Sequence, residues 1–123
     1  MHKELIKKLN ANTKEERLNA LKELMALHKN GSLEAPVTTE SVNNHIHTTY
    51  SFSPYSPTKA VYMAYISGLK TCGIMDHDSI GGAEEFIEAG KIADMAVTCG
   101  FETRVKMEGS KYADRRYNNP DQP

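Results

Sequence analysis

His45 and His47 flank one residue in Asn43-Asn44-His45-Ile46-His47-Thr48. On a strand, residues two apart point to the same side, so two imidazoles spaced this way can hold one metal ion. A helix would turn them apart, and the pair is useful only if the segment is extended. Its neighbours favour that state: Val42 and Ile46 are β-branched, and Pro54 and Pro57 prevent a helix from running on. Two further groups of ligand-type residues follow, Ile74-Met75-Asp76-His77-Asp78-Ser79 and Gly100-Phe101-Glu102. His77 lies 30 positions after His47, and Glu102 lies 25 after His77. Each interval approximates one βα unit of about 30 residues. Such residues recurring once per unit are expected of a barrel with its chemistry at the carboxyl ends of its strands.

The elements that must position these residues are legible around them. Leu5, Ile6 and Leu9 form a short apolar stripe ending at Asn10. Thr13-Lys14-Glu15-Glu16 is a capping box. Leu18, Leu21, Leu24, Met25 and His28 continue at helical spacing, and Asn30-Gly31 supplies a left-handed stop. These leading helices carry no chemical signature and read as a packing extension over residues 1–40, with Ser32 to Glu40 as linker. Residues 41–123 read as the chemical part. The first strand spans Val42 to about His47, followed by a polar and aromatic loop from Thr48 to Ser56. Ser56-Pro57 starts a helix with Val61, Ala64, Tyr65 and Gly68 as its buried stripe. A second strand spans Lys70 to Met75. The next helix follows Ser79, with Ala83, Phe86, Ile87 and Gly90 on one face. Met95 to Glu102 is a third strand, apolar enough for a parallel sheet covered on both faces. Three strands cannot close a barrel. The expectation is therefore the front portion of a longer protein.

The 123 residues suffice for one domain of ordinary size. With 15 basic and 16 acidic residues the net charge is −1, which gives no general attraction to nucleic acid or to an anionic membrane. At 39 % hydrophobic and 25 % charged, the chain reads as globular. No apolar run approaches the roughly 20 residues of a membrane span. Early charge at Met1-His2-Lys3-Glu4 argues against a secretory signal, which gives a cytoplasmic address. Cys72 and Cys99 are too few for a disulfide framework and read as reduced, packed thiols.

Taken together, His45-Ile46-His47-Thr48, Asp76-His77-Asp78-Ser79-Ile80-Gly81-Gly82 and Gly100-Phe101-Glu102 resemble the PHP (polymerase and histidinol phosphatase) family. The resemblance covers roughly Val42 to Glu102. It implies an α/β fold, part of a distorted (β/α)7 barrel of the PHP type, preceded here by the helical extension. It also implies two or three divalent ions (zinc, manganese or iron) and hydrolysis of phosphate esters. Residue by residue, His45 and His47 would bind one metal, Glu102 would bridge it to a second, His77 would bind a third, and Asp76 would orient the site. Asp76 and His77 are the catalytic candidates it supplies. Imidazoles and carboxylates suit those metals, and a carboxylate has two oxygens with which to bridge. The sequence departs from the family at Ser51-Phe52-Ser53-Pro54, where an aspartate or histidine usually serves the third metal. The family's later histidines and its late aspartate–histidine pair lie on strands beyond this sequence.

The implied substrate is a small phosphate ester attacked by metal-activated water, since no serine–histidine–acid arrangement offers a protein nucleophile. Two alternatives stand beside it: a related amidohydrolase-type metal hydrolase, and a catalytically inactive relative that binds metal weakly. Several residues also have plainer readings. Asp78 and Ser79 suit a helix N-cap, Gly81-Gly82 a tight turn, Tyr50 and Tyr55 loop packing, and Arg104 a surface cation. His2 and His28 belong to the leading helices and not to a metal site. Met63, Met75 and Met95 fill core.

Overall fold

The computed structural model describes residues 2–113. The elements run α1 (His2–Lys8), α2 (Lys14–Lys29), β1 (Val42–Ile46), α3 (Pro57–Ile66), β2 (Thr71–His77), α4 (Ala83–Ile92) and β3 (Val97–Glu102). Local chemistry accounts for most boundaries. Thr13 Oγ1 accepts from the Glu16 amide at 3.2 Å and opens α2. Ser56 Oγ does the same for the Lys59 amide at 2.9 Å, with Pro57 in the first turn of α3. Gly31 and Gly68, at φ +82° and +75°, follow the ends of α2 and α3. At Gly68 a Cβ would run into the Val37 carbonyl, so glycine is required there for space as well as for φ.

The three strands form one parallel sheet in the order β1-β2-β3. Cys72 and Ile74 lie on the face covered by helices, in one buried cluster with Val61, Phe86 and Ala89. Leu9, Leu21 and Leu24 of the leading helices belong to the same cluster, so α1 and α2 share a core with the βα units. Polar contacts fasten this junction. Arg17 Nε and Nη2 each donate to the Glu85 carboxylate at 2.7 Å, and Thr58 Oγ1 donates to Glu85 Oε1 at 2.7 Å. His28 is buried between the Glu34 carbonyl and the Tyr62 hydroxyl, a packing role.

As expected of three strands, the sheet is open, with β1 and β3 as its edges among the described residues; a barrel is not shown. Several other expectations need correction. β2 runs two residues further than expected, which puts Asp76 and His77 on the strand itself. β3 begins at Val97. Asp78 and Ser79 do not cap α4, whose N-cap is Gly82 without a side-chain bond. Ser79 Oγ instead accepts from the Gly81 amide at 3.0 Å, and Asp78 turns the chain at φ +52°. Glu85 and Ala89 replace Ala83 and Ile87 on the buried face of α4. Cys99 is exposed, on the strand that forms one edge of the sheet among the described residues.

β1 is not regular. Asn43 pairs with Cys72 and Ile46 with Ile74, so three steps on β1 match two on β2. This bulge re-aims the side chains next to it. Beside it, Gly73 of β2 is crowded from both sides: a Cβ there would run into Thr98 Oγ1 of β3 and would lie 3.0 Å from Asn44 Cα and 3.1 Å from its carbonyl oxygen. A strand glycine where a second backbone crowds in is what this packing demands.

Candidate metal centre

Parallel strands all end at the same edge of a sheet, and ligands collect there. His77 and Glu102 are the last residues of β2 and β3 and are direct register partners. His47 stands one residue past β1, and His45 sits in its bulge. Alternation along β2 sends the neighbours Asp76 and His77 to opposite faces. His77 therefore shares the open face with Glu102, and Asp76 goes inward.

Three imidazoles converge on one oxygen. His45, His47 and His77 place Nε2 at 2.9, 3.4 and 3.4 Å from Glu102 Oε2. The His47 and His77 rings are stacked with centroids 4.7 Å apart, and His45 meets His47 edge-on at 5.1 Å. The His45 hydrogen bond, opposed by partial desolvation and reinforced by the other imidazoles, holds the Glu102 carboxyl below the usual carboxylate range. A carboxylate held in its ionised form is what a metal site requires of this ligand.

Asp76 supports the cluster from beneath. It is 1 % exposed and accepts three hydrogen bonds of 2.7 Å, from the Thr48 amide, Thr48 Oγ1 and Ser51 Oγ. With both oxygens so engaged it is a positioning residue for the loop after β1. Ser51 Oγ also accepts from the His77 amide at 3.0 Å and lies 3.3 Å from His47 Nδ1. The hydroxyl's one hydrogen goes to Asp76, so His47 Nδ1 must donate. That leaves the Nε2 lone pair of His47 facing Glu102, and the tautomer is set by a bond at the far side of the ring. Thr48 and Ser51 are support residues that the strand-tip pattern alone does not single out. The signal for them was the carboxylate at Asp76 within an apolar strand, which needs donors.

Other candidates take no part in the imidazole–carboxylate contacts. Phe52 occupies the departure noted in the sequence, exposed and edge-on to His77 at 5.1 Å. Arg104 is exposed and makes no ion pair with Glu102 among the described residues. Tyr50 packs over Gly81 and Gly82, where a Cβ would meet its ring at 2.7 and 3.0 Å. Cys72 is buried, its thiol pushed up to about 11 by desolvation, which makes it inert.

No protein-family model matches the chain. One solved structure does resemble it, with a TM-score of 0.51 at 30 % identity, over 57 % of this chain and 24 % of the other. That neighbour, from Bifidobacterium adolescentis, is a candidate metal-dependent phosphoesterase. A 71-residue stretch is also 34 % identical to a 5'-3' exoribonuclease of Haemophilus influenzae, over 58 % of this chain and 26 % of that protein. The chain thus spans about a quarter of the length of each of these relatives.

The donor set itself fits a divalent ion. The ligand atoms of His45, His47 and Glu102 all lie within 4.8 Å of one another. Donors on one tetrahedral ion at about 2.0–2.1 Å are about 3.3 Å apart, close to the 3.4 Å separating His47 Nε2 from Glu102 Oε2. Two nitrogens and a carboxylate oxygen suit zinc, manganese and iron alike.

Proposed function

We propose that these residues form the front part of a phosphoesterase centre of the PHP type, acting on a phosphate ester. One observation carries the reading: imidazoles from β1 and β2 meet the carboxylate from β3 at the carboxyl edge of a parallel sheet. His45, His47 and Glu102 would hold one ion. Glu102 would bridge it to a second ion, and His77 would hold a third. A divalent ion held there supplies Lewis acidity toward water and toward the phosphoryl oxygens.

The protein's own groups complete the arrangement. Glu102 contributes fixed negative charge, which offsets the cation. Ser51 orients His47 through Nδ1, and Asp76 holds Ser51. Ser51 is not placed to attack, because it is buried and both lone pairs of its oxygen are taken, by the His77 amide and by His47 Nδ1. Water is left as the attacking group. The similarity to a candidate metal-dependent phosphoesterase supports the choice of ester. The match to an exoribonuclease, an enzyme that cleaves phosphate diesters, points the same way.

The test is metal analysis of the purified protein together with release of p-nitrophenol from its phosphate. Bound manganese or zinc is expected, with His47→Ala weakening it at least about tenfold. Turnover, where present, should stop on chelation. Equal metal binding by the wild-type protein and His47→Ala refutes the reading.

A further inference from the structure

Among the described residues β1 and β3 are the edges of the sheet, and the two edges differ. β1 is broken by its bulge, which discourages a further strand from adding. β3 has no such device. Its register with β2 is unbroken from Val97 to Glu102, and Val97-Thr98-Cys99-Gly100-Phe101 holds no charge and no proline. The Glu102 carbonyl accepts from the Asp78 amide at 2.7 Å, so Glu102 turns its backbone groups toward β2. Alternation sends those of Gly100 and Thr98 the same way and those of Cys99 and Phe101 outward. The Cys99 and Phe101 side chains lie on the face opposite Glu102, and both are exposed, Phe101 at 56 %. Charge is divided between the two ends of the strand. Asp94 precedes it, Arg104 and Lys106 follow it, and all three are exposed.

We propose that β3 is a self-association edge, pairing antiparallel with β3 of a second copy of this chain about a two-fold axis at Gly100. Backbone polarity allows that register. Cys99 then stands opposite Phe101 of the second copy, with the outward N–H and C=O groups of each facing the other. The two symmetric pairs exchange four hydrogen bonds. Each pair also joins two apolar side chains that a single chain leaves in solvent. Gly100 meets Gly100 of the second copy at the axis, where a non-hydrogen-bonded pair brings Cα atoms to about 4.5 Å. Antiparallel pairing lays the acidic end of each strand beside the basic end of the other, with Asp94 alongside Arg104 and Lys106. Lys106 already lies 3.5 Å from Glu108, but both side chains are exposed and such a pair holds weakly. A parallel arrangement of two copies would set like ends together and would not close on itself. Glu102 and its imidazoles occupy the other face, so this association neither needs nor blocks the metal centre.

The test is sedimentation equilibrium of the full 123-residue chain at micromolar concentrations, with and without chelator, together with cross-linking by bismaleimidoethane. A reversible dimer is expected, unaffected by chelation. The Cys99 residues of the two copies would lie diagonally across the pair, about 7–8 Å apart. The reagent should therefore link the wild-type dimer and not the Cys99→Ser dimer, Cys72 being buried. Phe101→Lys puts a charge on the pairing edge and should weaken dimerisation at least about tenfold. Lys106→Glu, outside the strand, should weaken it about 2- to 30-fold through its two symmetric contacts. Thermal melts check that each variant is folded. A chain that stays monomeric overturns the proposal and leaves the edge to a different strand. A dimer that chelator dissociates, that resists cross-linking at Cys99, or that is undiminished in both Phe101→Lys and Lys106→Glu overturns it as well.

Discussion

Replacing Asp76 tests the support beneath the metal centre. Its side chain is 1 % exposed and accepts from three donors, each at 2.7 Å. Asp76→Ala orphans all three, including the amide of the fully buried Thr48. An unsatisfied buried donor costs about 1–3 kcal/mol. Allowing for partial relaxation, the sum is about 3–5 kcal/mol, a large share of the stability of an ordinary domain. With a urea dependence of about 1–3 kcal/mol per molar, the unfolding midpoint should fall by at least about 1 M. Asp76→Asn should be milder, at about 1–2 kcal/mol. Its carbonyl can take the place of Oδ1, which receives the Thr48 amide and Ser51, while its NH2 faces Thr48 Oγ1, which must rotate to accept. Asp76→Ala frees Ser51 and with it the His47 tautomer, while Asp76→Asn keeps an acceptor for Ser51 but weakens that bond by removing the charge, so metal affinity should drop toward the upper and lower ends, respectively, of about 10- to 100-fold. Urea titration measures the first effect and competition with a chromogenic chelator the second. Asp76→Asn provides the metal measurement if the alanine variant does not fold. A loss below about 1 kcal/mol for Asp76→Ala, or unchanged metal affinity in both variants, refutes the assigned role.

Two further perturbations probe the frame. Burial alone would raise the Glu85 carboxyl, but Arg17 and Thr58 outweigh it and hold the group below its usual range. Because the folded value is the lower one, the stabilisation is complete above the ordinary glutamate pKa of about 4.3 and is lost as pH falls through the folded value. Glu85→Gln should cost about 3 kcal/mol at neutral pH and flatten the acid limb of stability against pH; parallel curves for the two proteins count against the pairing. Gly73→Ala drives a methyl into Thr98 Oγ1 and against the Asn44 backbone, and should cost about 1–3 kcal/mol while displacing His45. Thermal melts and the His45 ring resonances report both effects, and a variant with wild-type values of each shows that β1 tolerates the methyl.

What the sequence disclosed and what it withheld divide along the range of the interactions. The caps at Thr13 and Ser56 and the stops at Gly31 and Gly68 act within one helical turn, so neighbouring residues suffice to read them. The three strand tips were legible because ligand-type residues recur at βα spacing and parallel strands end together. The β1 bulge was hidden, since it depends on how Asn44 crosses Gly73, a contact between strands. The Arg17–Glu85 pair spans 68 residues, and each member alone reads as an ordinary surface charge. Asp78 and Ser79 satisfied the composition of a cap, yet the chain spends them on a turn before α4 begins at Ala83. Thr48 and Ser51 lie between these extremes. Asp76 follows Cys72-Gly73-Ile74-Met75 on a strand with one face in the core, and a carboxylate there must find donors. Loops leaving the same edge of a parallel sheet lie beside one another, so hydroxyls just past β1 are the nearest supply. The same argument separates Asp76 from His77. Adjacent strand residues face opposite ways, and only one of the two can reach Glu102.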